Sequence, residues 1–166
     1  MAKKEKYLET NLKQFGDPIL REKSKNIEHS NDLYETVQKM TKIVKDLNAS
    51  GLAAPQIGIL RRIIVFRFER KTHVLINPEI TWKSEDMIEG PEGCLSLSGI
   101  WTMVNRFSKI VVQGRNLDGD LIKLELEGEN ARIIQHEIDH LDGITIYNRV
   151  PKEYRKEILY KLGKIG

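Results

Sequence analysis

The residues best suited to chemistry lie in the run Gln135-His136-Glu137-Ile138-Asp139-His140. Two histidines four positions apart, with a glutamate after the first, make the pattern H-E-x-x-H. On a helix, positions i and i+4 lie about one turn apart on a single face. Both imidazoles can then reach one metal ion, and Glu137 sits where it could deprotonate a water on that ion. The pattern predicts metal-assisted hydrolysis of an amide. The bland alternative is a helix whose histidines and glutamate are merely solvated or hydrogen-bonded. Against it, Ile134, Ile138 and Leu141 form an apolar face that would anchor this helix in a core. His136, Glu137 and His140, with Ile133 beside them, project from an adjoining face. Polar groups at the edge of a buried helix are costly unless they are paired or bind metal.

Two histidines need at least one more protein ligand for a catalytic site. No histidine follows His140. Glu153 and Glu157 lie in a strongly charged amphipathic segment and read as solvated. The attractive candidate is upstream: Cys94, in Glu92-Gly93-Cys94-Leu95-Ser96. A lone cysteine is more often a small core residue than a ligand. Gly93, however, lets the backbone approach closely, and a thiolate suits Fe(II) or Zn(II).

Several elements must position these groups. Residues 1–30 read as an irregular N-terminal arm with a turn at Gly16-Asp17-Pro18. Leu33, Val37, Met40, Val44 and Leu47 recur at helical spacing, which predicts an amphipathic helix capped by Asn31. It runs into the Gly/Ala/Pro segment 51–58. Ile63–Phe66 and His73–Ile76 read as strands, with Pro78 closing the second. The three glycines and Pro91 between Glu89 and Gly99 predict a loop-like stretch. Ile110–Val112 is a strand, Asn116–Gly119 a hairpin turn, and Ile122, Leu124 and Leu126 alternate along the returning strand. Asn130 can cap a helix over 131–141 that Gly143 ends. Ile144–Tyr147 reads as a short strand, and Pro151 can open a final helix carrying Tyr154, Ile158, Leu159 and Leu162. The expected fold is α+β: small antiparallel sheets packed around a central metal-binding helix, with an N-terminal and a C-terminal helix.

At 166 residues the chain reads as one domain, 1–166. Hydrophobic residues at 40% and charged residues at 31% fit a soluble globular protein and argue against disorder. A net charge of +3 permits an anionic partner without demanding one. No apolar run approaches the roughly 18 residues of a membrane span. The charged Met1–Lys6 start has no apolar stretch behind it, so no secretory signal is expected. With Cys94 the single cysteine, no intrachain disulfide can form, which suits a reducing cytoplasm. Neither a membrane nor DNA is an expected partner.

Three segments together resemble one family. Gly51-Leu52-Ala53-Ala54-Pro55-Gln56, Glu92-Gly93-Cys94-Leu95-Ser96 and Gln135-His136-Glu137-Ile138-Asp139-His140-Leu141 look like the three motifs of peptide deformylase, in that family's order and at similar spacings. Gly16–Arg21, Asn77-Pro78 and the C-terminal helix also match, so the likeness covers nearly the whole chain. The resemblance implies removal of the formyl group from the N-terminal formyl-methionine of nascent polypeptides. It implies Cys94, His136 and His140 as metal ligands, Glu137 as general base and acid, and Gln56 with the Leu95 N–H as oxyanion donors. The metal would be Fe(II) in cells, with Zn(II) or Ni(II) also accepted. Ser50, Gly51, Leu52 and Gly93 would meet the substrate, Gly51-Leu52 as an edge that pairs with its backbone, or else as a plain helix-terminating turn. Trp101 would wall the pocket for the residue after methionine. Glu92 would form a structural ion pair with Arg106.

The first motif departs from the family's usual Gly-hydrophobic-Gly, reading Ala49-Ser50-Gly51. If its first position needs a positive φ, Ala49 would be strained. Ser98-Gly99-Ile100-Trp101 likewise replaces a proline common after the second motif. Two other functions stay open on the sequence: an H-E-x-x-H endopeptidase, and an inactive deformylase-like binding protein. The tail from Arg149 to Gly166 holds six Lys/Arg against two Glu. It reads as a solubilising surface or, more sharply, as a basic helix that docks on ribosomal RNA.

Overall fold

The structure is a computed structural model that describes residues 11–28 and 32–165. Helix α1 (Leu33–Asp46) is followed by strand β1 (Gly51–Ala53), a 3-10 turn at Ala54–Ile57, β2 (Ile63–Phe68) and β3 (Lys71–Lys83). Next come β4 (Met87–Cys94), β5 (Leu97–Phe107), β6 (Lys109–Arg115) and β7 (Leu121–Glu127). Helices α2 (Gly128–Leu141), α3 (Ile146–Arg149) and α4 (Lys152–Ile165) complete the chain. A five-stranded antiparallel sheet runs in the order β1-β2-β3-β6-β7, and β4 with β5 makes a separate two-stranded sheet. The α+β expectation, with small antiparallel sheets around the histidine-bearing helix, matches this architecture.

The run Ile63-Ile64-Val65-Phe66 is apolar at every position because β2 is buried on both faces. Ile63 and Val65 join Leu33, Val37, Met40 and Val44 of α1 in one cluster. Ile64 and Phe66 join Ala131, Ile134, Ile138 and Leu141 of α2 in a second. A third lies under the β4–β5 hairpin, where Leu97, Ile100 and Val104 meet Ile146, Val150 and Ile158. Helix α2 is therefore held between two sheets. Burying each of its large apolar side chains stabilises by about 1.5–3 kcal/mol, which offsets the cost of the polar residues it also buries.

Four local expectations are corrected. Pro78 does not close the second strand but sits inside β3, at a register shift between Ile76 and Glu79. A bulge tolerates the missing N–H. There Asn77 takes φ 51. Its side chain accepts from Ile27 N and donates to Ile27 O, tying the N-terminal arm to the sheet. The stretch from Glu89 to Gly99 is mostly strand, not loop, with Pro91 opposite Met103. In a two-stranded ribbon a proline can turn its missing donor outward. Helix α2 starts before Asn130, with Glu127 at the N-cap position. Ile146–Arg149 is a short helix rather than a strand, because the Asn148 side chain accepts from Thr145 N and closes the turn. Gly143, at φ 72, does follow the end of α2. The Asn31 cap lies outside the described residues. No described helix is long and apolar enough to cross a membrane.

Candidate functional site

Helix α2 brings His136 and His140 to one face, with ring centroids 4.9 Å apart. The end of β4 carries Cys94 to them, its Sγ 3.3 Å from His140 Nε2. The ligand-type atoms of Cys94, His136 and His140 all lie within 4.8 Å of one another. Among the described residues they form the one three-membered group of this kind. Glu153 and Glu157 stay exposed on α4, with Glu157 paired to Lys161.

The surroundings suit a metal. His136 Nδ1 lies 3.0 Å from Glu92 Oε2, which fixes the ring and leaves Nε2 for an ion. Burial opposes ionisation of the Cys94 thiol, but His140 and His136 overcome this and bring it well below its ordinary value. Burial disfavours a charged His136, yet its hydrogen bonds to Cys94 and Glu92 and nearby negative charge raise it well above the usual range. A thiolate crowded against imidazolium is the charge pattern a divalent cation would replace. A soft thiolate with two imidazoles is also a donor set for Fe(II), Zn(II) or Ni(II).

Glu137 projects beside this group. Its Oε2 is buried and has no hydrogen-bond partner among the described residues. Burial raises its carboxyl to about 7, partly opposed by the charges of His136 and His140. A carboxyl poised near neutrality can both take and give a proton. Gly51 makes room for it: a Cβ there would lie 2.7 Å from Glu137 Oε1.

The 3-10 turn presents Gln56. Its Oε1 accepts from Ala53 N at 3.0 Å, so its Nε2 points to Ser96 Oγ at 3.1 Å and Cys94 Sγ at 3.5 Å. An amide donor is thus fixed beside the ligand cluster. Leu95 occupies the β4–β5 turn next to Cys94, and its carbonyl accepts from Gln14.

A cleft of about 340 Å³ opens over the cluster, and Ser50, Gly51, Gln56, Gly93, Leu95 and Trp101 all line it. Trp101 is 69% exposed at its rim. Leu52 is placed differently: its side chain is fully buried in the α1 cluster. Ser50 O accepts from Arg67 N on β2, whereas Ala53 N turns away to Gln56. Strand alternation therefore points the Gly51 backbone to the free edge and that of Leu52 to β2. Edge pairing falls to Gly51, and Leu52 is core. Ala49 is not strained either, for the positive φ of this segment belongs to Asn48, at 51°.

Glu92 and Arg106 form the expected ion pair, bidentate at 2.7 and 2.9 Å, and both are buried. Burial would raise the Glu92 carboxyl, but hydrogen bonds from Arg106 and His136 hold it down at about 2. Sequence reasoning missed Arg132, Gln135 and Arg149 of the surrounding network. Arg132 also reaches Glu92, and Asp139 bridges Arg106 and Arg149. Gln135 braces Phe107 through both its N–H and its C=O. Arg132 precedes His136 by four residues, so its place on the stripe of His136 and His140 was available as a signal.

Residues 10–156 match a family model described as polypeptide deformylase. The peptide deformylase of Dictyoglomus thermophilum is 42% identical over 146 residues, covering 87% of this chain and 95% of that one. The peptide deformylase of Thermus thermophilus is 37% identical over 165 residues, covering 89% and 85%. Among solved structures, a crystal structure of peptide deformylase from Thermus thermophilus superposes with a TM-score of 0.84. It is 40% identical, and 91% of each chain is covered. That from Ehrlichia chaffeensis gives 0.86 at 27% identity, covering 93% and 94%.

A methyl group at Gly51 should displace the Glu137 carboxylate without touching a ligand. For Gly51→Ala we expect hydrolytic turnover to fall about 100-fold with bound metal unchanged. Metal analysis beside steady-state kinetics checks this, and unaltered turnover would contradict the placement of Glu137.

Proposed function

This chain belongs to the peptide deformylase family, and from that premise we propose how its residues remove the formyl group of N-formyl-methionyl peptides on nascent chains. The observation that carries the reading is the convergence of Cys94, His136 and His140 with the unpartnered carboxylate oxygen of Glu137 beside them. A divalent ion held by those three side chains would supply Lewis acidity to water and to the formyl carbonyl. Fe(II) is our reading for the cell, with Zn(II) or Ni(II) as substitutes.

Glu137 takes a proton from the attacking water, whose oxygen joins the formyl carbon. The Gln56 amide and the Leu95 N–H stabilise the negative charge that grows on the formyl oxygen, and losing one such donor typically costs about 10²–10³-fold. Glu137 then passes its proton to the departing nitrogen as the C–N bond breaks, leaving formate and a free α-amine. The free edge of Gly51 receives the peptide backbone as an added strand. Ser50, Gly93 and Trp101 flank the substrate side chains. A site fitted closely around the carbonyl admits a formyl hydrogen and excludes an acetyl methyl. The position of the third ligand, Cys94, upstream of the helix argues against an endopeptidase that takes its third ligand downstream. The unstrained Ala49 weakens the case for an inactive relative.

We take the cytoplasm as the place of action on nascent chains, and we read the exposed Lys152, Lys156 and Lys161 of α4 as a transient contact with ribosomal RNA. Ile158 of the same helix is buried in the third cluster, so charge reversal tests this more cleanly than deletion. Reversing the three lysines to Glu should abolish salt-sensitive co-sedimentation with ribosomes and spare turnover of a free peptide. Unchanged co-sedimentation would refute the contact.

Glu137→Gln should keep the metal and lose at least about 100-fold in formate release from a formyl-Met peptide. A variant as fast as the parent would overturn the assigned proton carrier.

A further inference from the structure

We propose that Arg132 is a positioning residue of the metal centre, clamping the ligand-bearing helix to the hairpin that carries Cys94 and orienting His136 through Glu92. The inference rests on reading Cys94, His136 and His140 as that centre. Two of those ligands ride on α2 and the third on β4, so the site exists only while the two elements keep a fixed separation. Arg132 spans the gap. From α2 its buried guanidinium donates to Ile88 O at 2.7 Å and more weakly to Gly90 O at 3.4 Å, both on β4. It also donates to Val104 O at 2.7 Å on β5. One planar fork thus holds both strands of the hairpin.

The same group reaches Glu92 Oε1 at 3.0 Å. Arg106 already binds both oxygens of that carboxylate, and His136 Nδ1 takes Oε2. Arg106 is itself shared with Asp139, so its charge is divided. Arg132 adds a second cation on the side facing α2 and pins the carboxylate from there. Gly90 supplies independent support. A Cβ at that position would lie 2.8 Å from Arg132 Nη2, so the hairpin leaves out a side chain where the clamp passes. Lysine could not replace it, because a single ammonium cannot reach carbonyls on two strands and a carboxylate together.

The test is a cobalt(II) titration of the metal-free protein, followed by absorption of the thiolate-bound ion. Arg132→Met should weaken cobalt about 10–100-fold and shift its visible bands, and Arg132→Lys should not restore them. In a Glu92→Gln background the same change should cost several-fold less than in the parent, because the part that orients His136 acts through that carboxylate while the clamp on the strand carbonyls remains to be lost. Gly90→Ala should reproduce the Arg132→Met spectrum while adding no charge, and it carries the test if Arg132→Met does not fold by circular dichroism. Losses that multiply fully in the double variant, with parental bands throughout, would overturn the inference and leave Arg132 a prop of the fold. A parent that takes up no cobalt would instead overturn the metal centre itself.

Discussion

A buried carboxylate must be neutralised where it stands, and the geometry of this molecule follows from how Glu92 meets that requirement. Its carboxylate is buried, held ionised by Arg106 and His136, and accepts a further hydrogen bond from Arg132. Removing one partner of such a buried pair typically costs about 3–5 kcal/mol. The hairpin, the helix and the His136 imidazole are therefore fixed relative to one another by a single charged group. Asp139 extends the network by joining Arg106 to Arg149 at the end of α3. The C-terminal part of the chain is thus tied to the same centre.

Around this charge the apolar clusters provide the rigidity. The two faces of β2 pack on α1 and α2, so the edge strand that offers Gly51 and the helix that offers Glu137 share one scaffold. That is why a missing Cβ at residue 51 can matter to a carboxylate in another motif. The groups proposed to act on substrate are set on a helix, a strand end and a tight turn rather than on long loops. Such placement keeps reacting geometry constant between turnovers.

The parts legible in the sequence were those with a period or a fixed spacing. The α1 stripe, the histidine pair and the alternation in β7 each declare one face of one element. Cys94 was found because two histidines require a third donor, and Glu92 with Arg106 came from family likeness. The β4–β5 hairpin was not legible, since Gly90, Pro91 and Gly93 imitate a loop. Gly90 and Gly93 are small because Arg132 and Trp101 press against them, a tertiary cause with no local trace. Ile144–Tyr147 is too short for periodicity to separate strand from helix. Leu52 sat in a motif read as substrate-facing, and only the strand register reveals that its backbone turns inward.

Formate release by the metal-free chain, before and after Fe(II) is restored without oxygen, measures the central claim most directly. A formyl-Met peptide with ordinary internal bonds serves as substrate. The account predicts formate only after the metal is returned, with the internal bonds intact. Equal formate release without metal, or cleavage of an internal bond in its place, would contradict it.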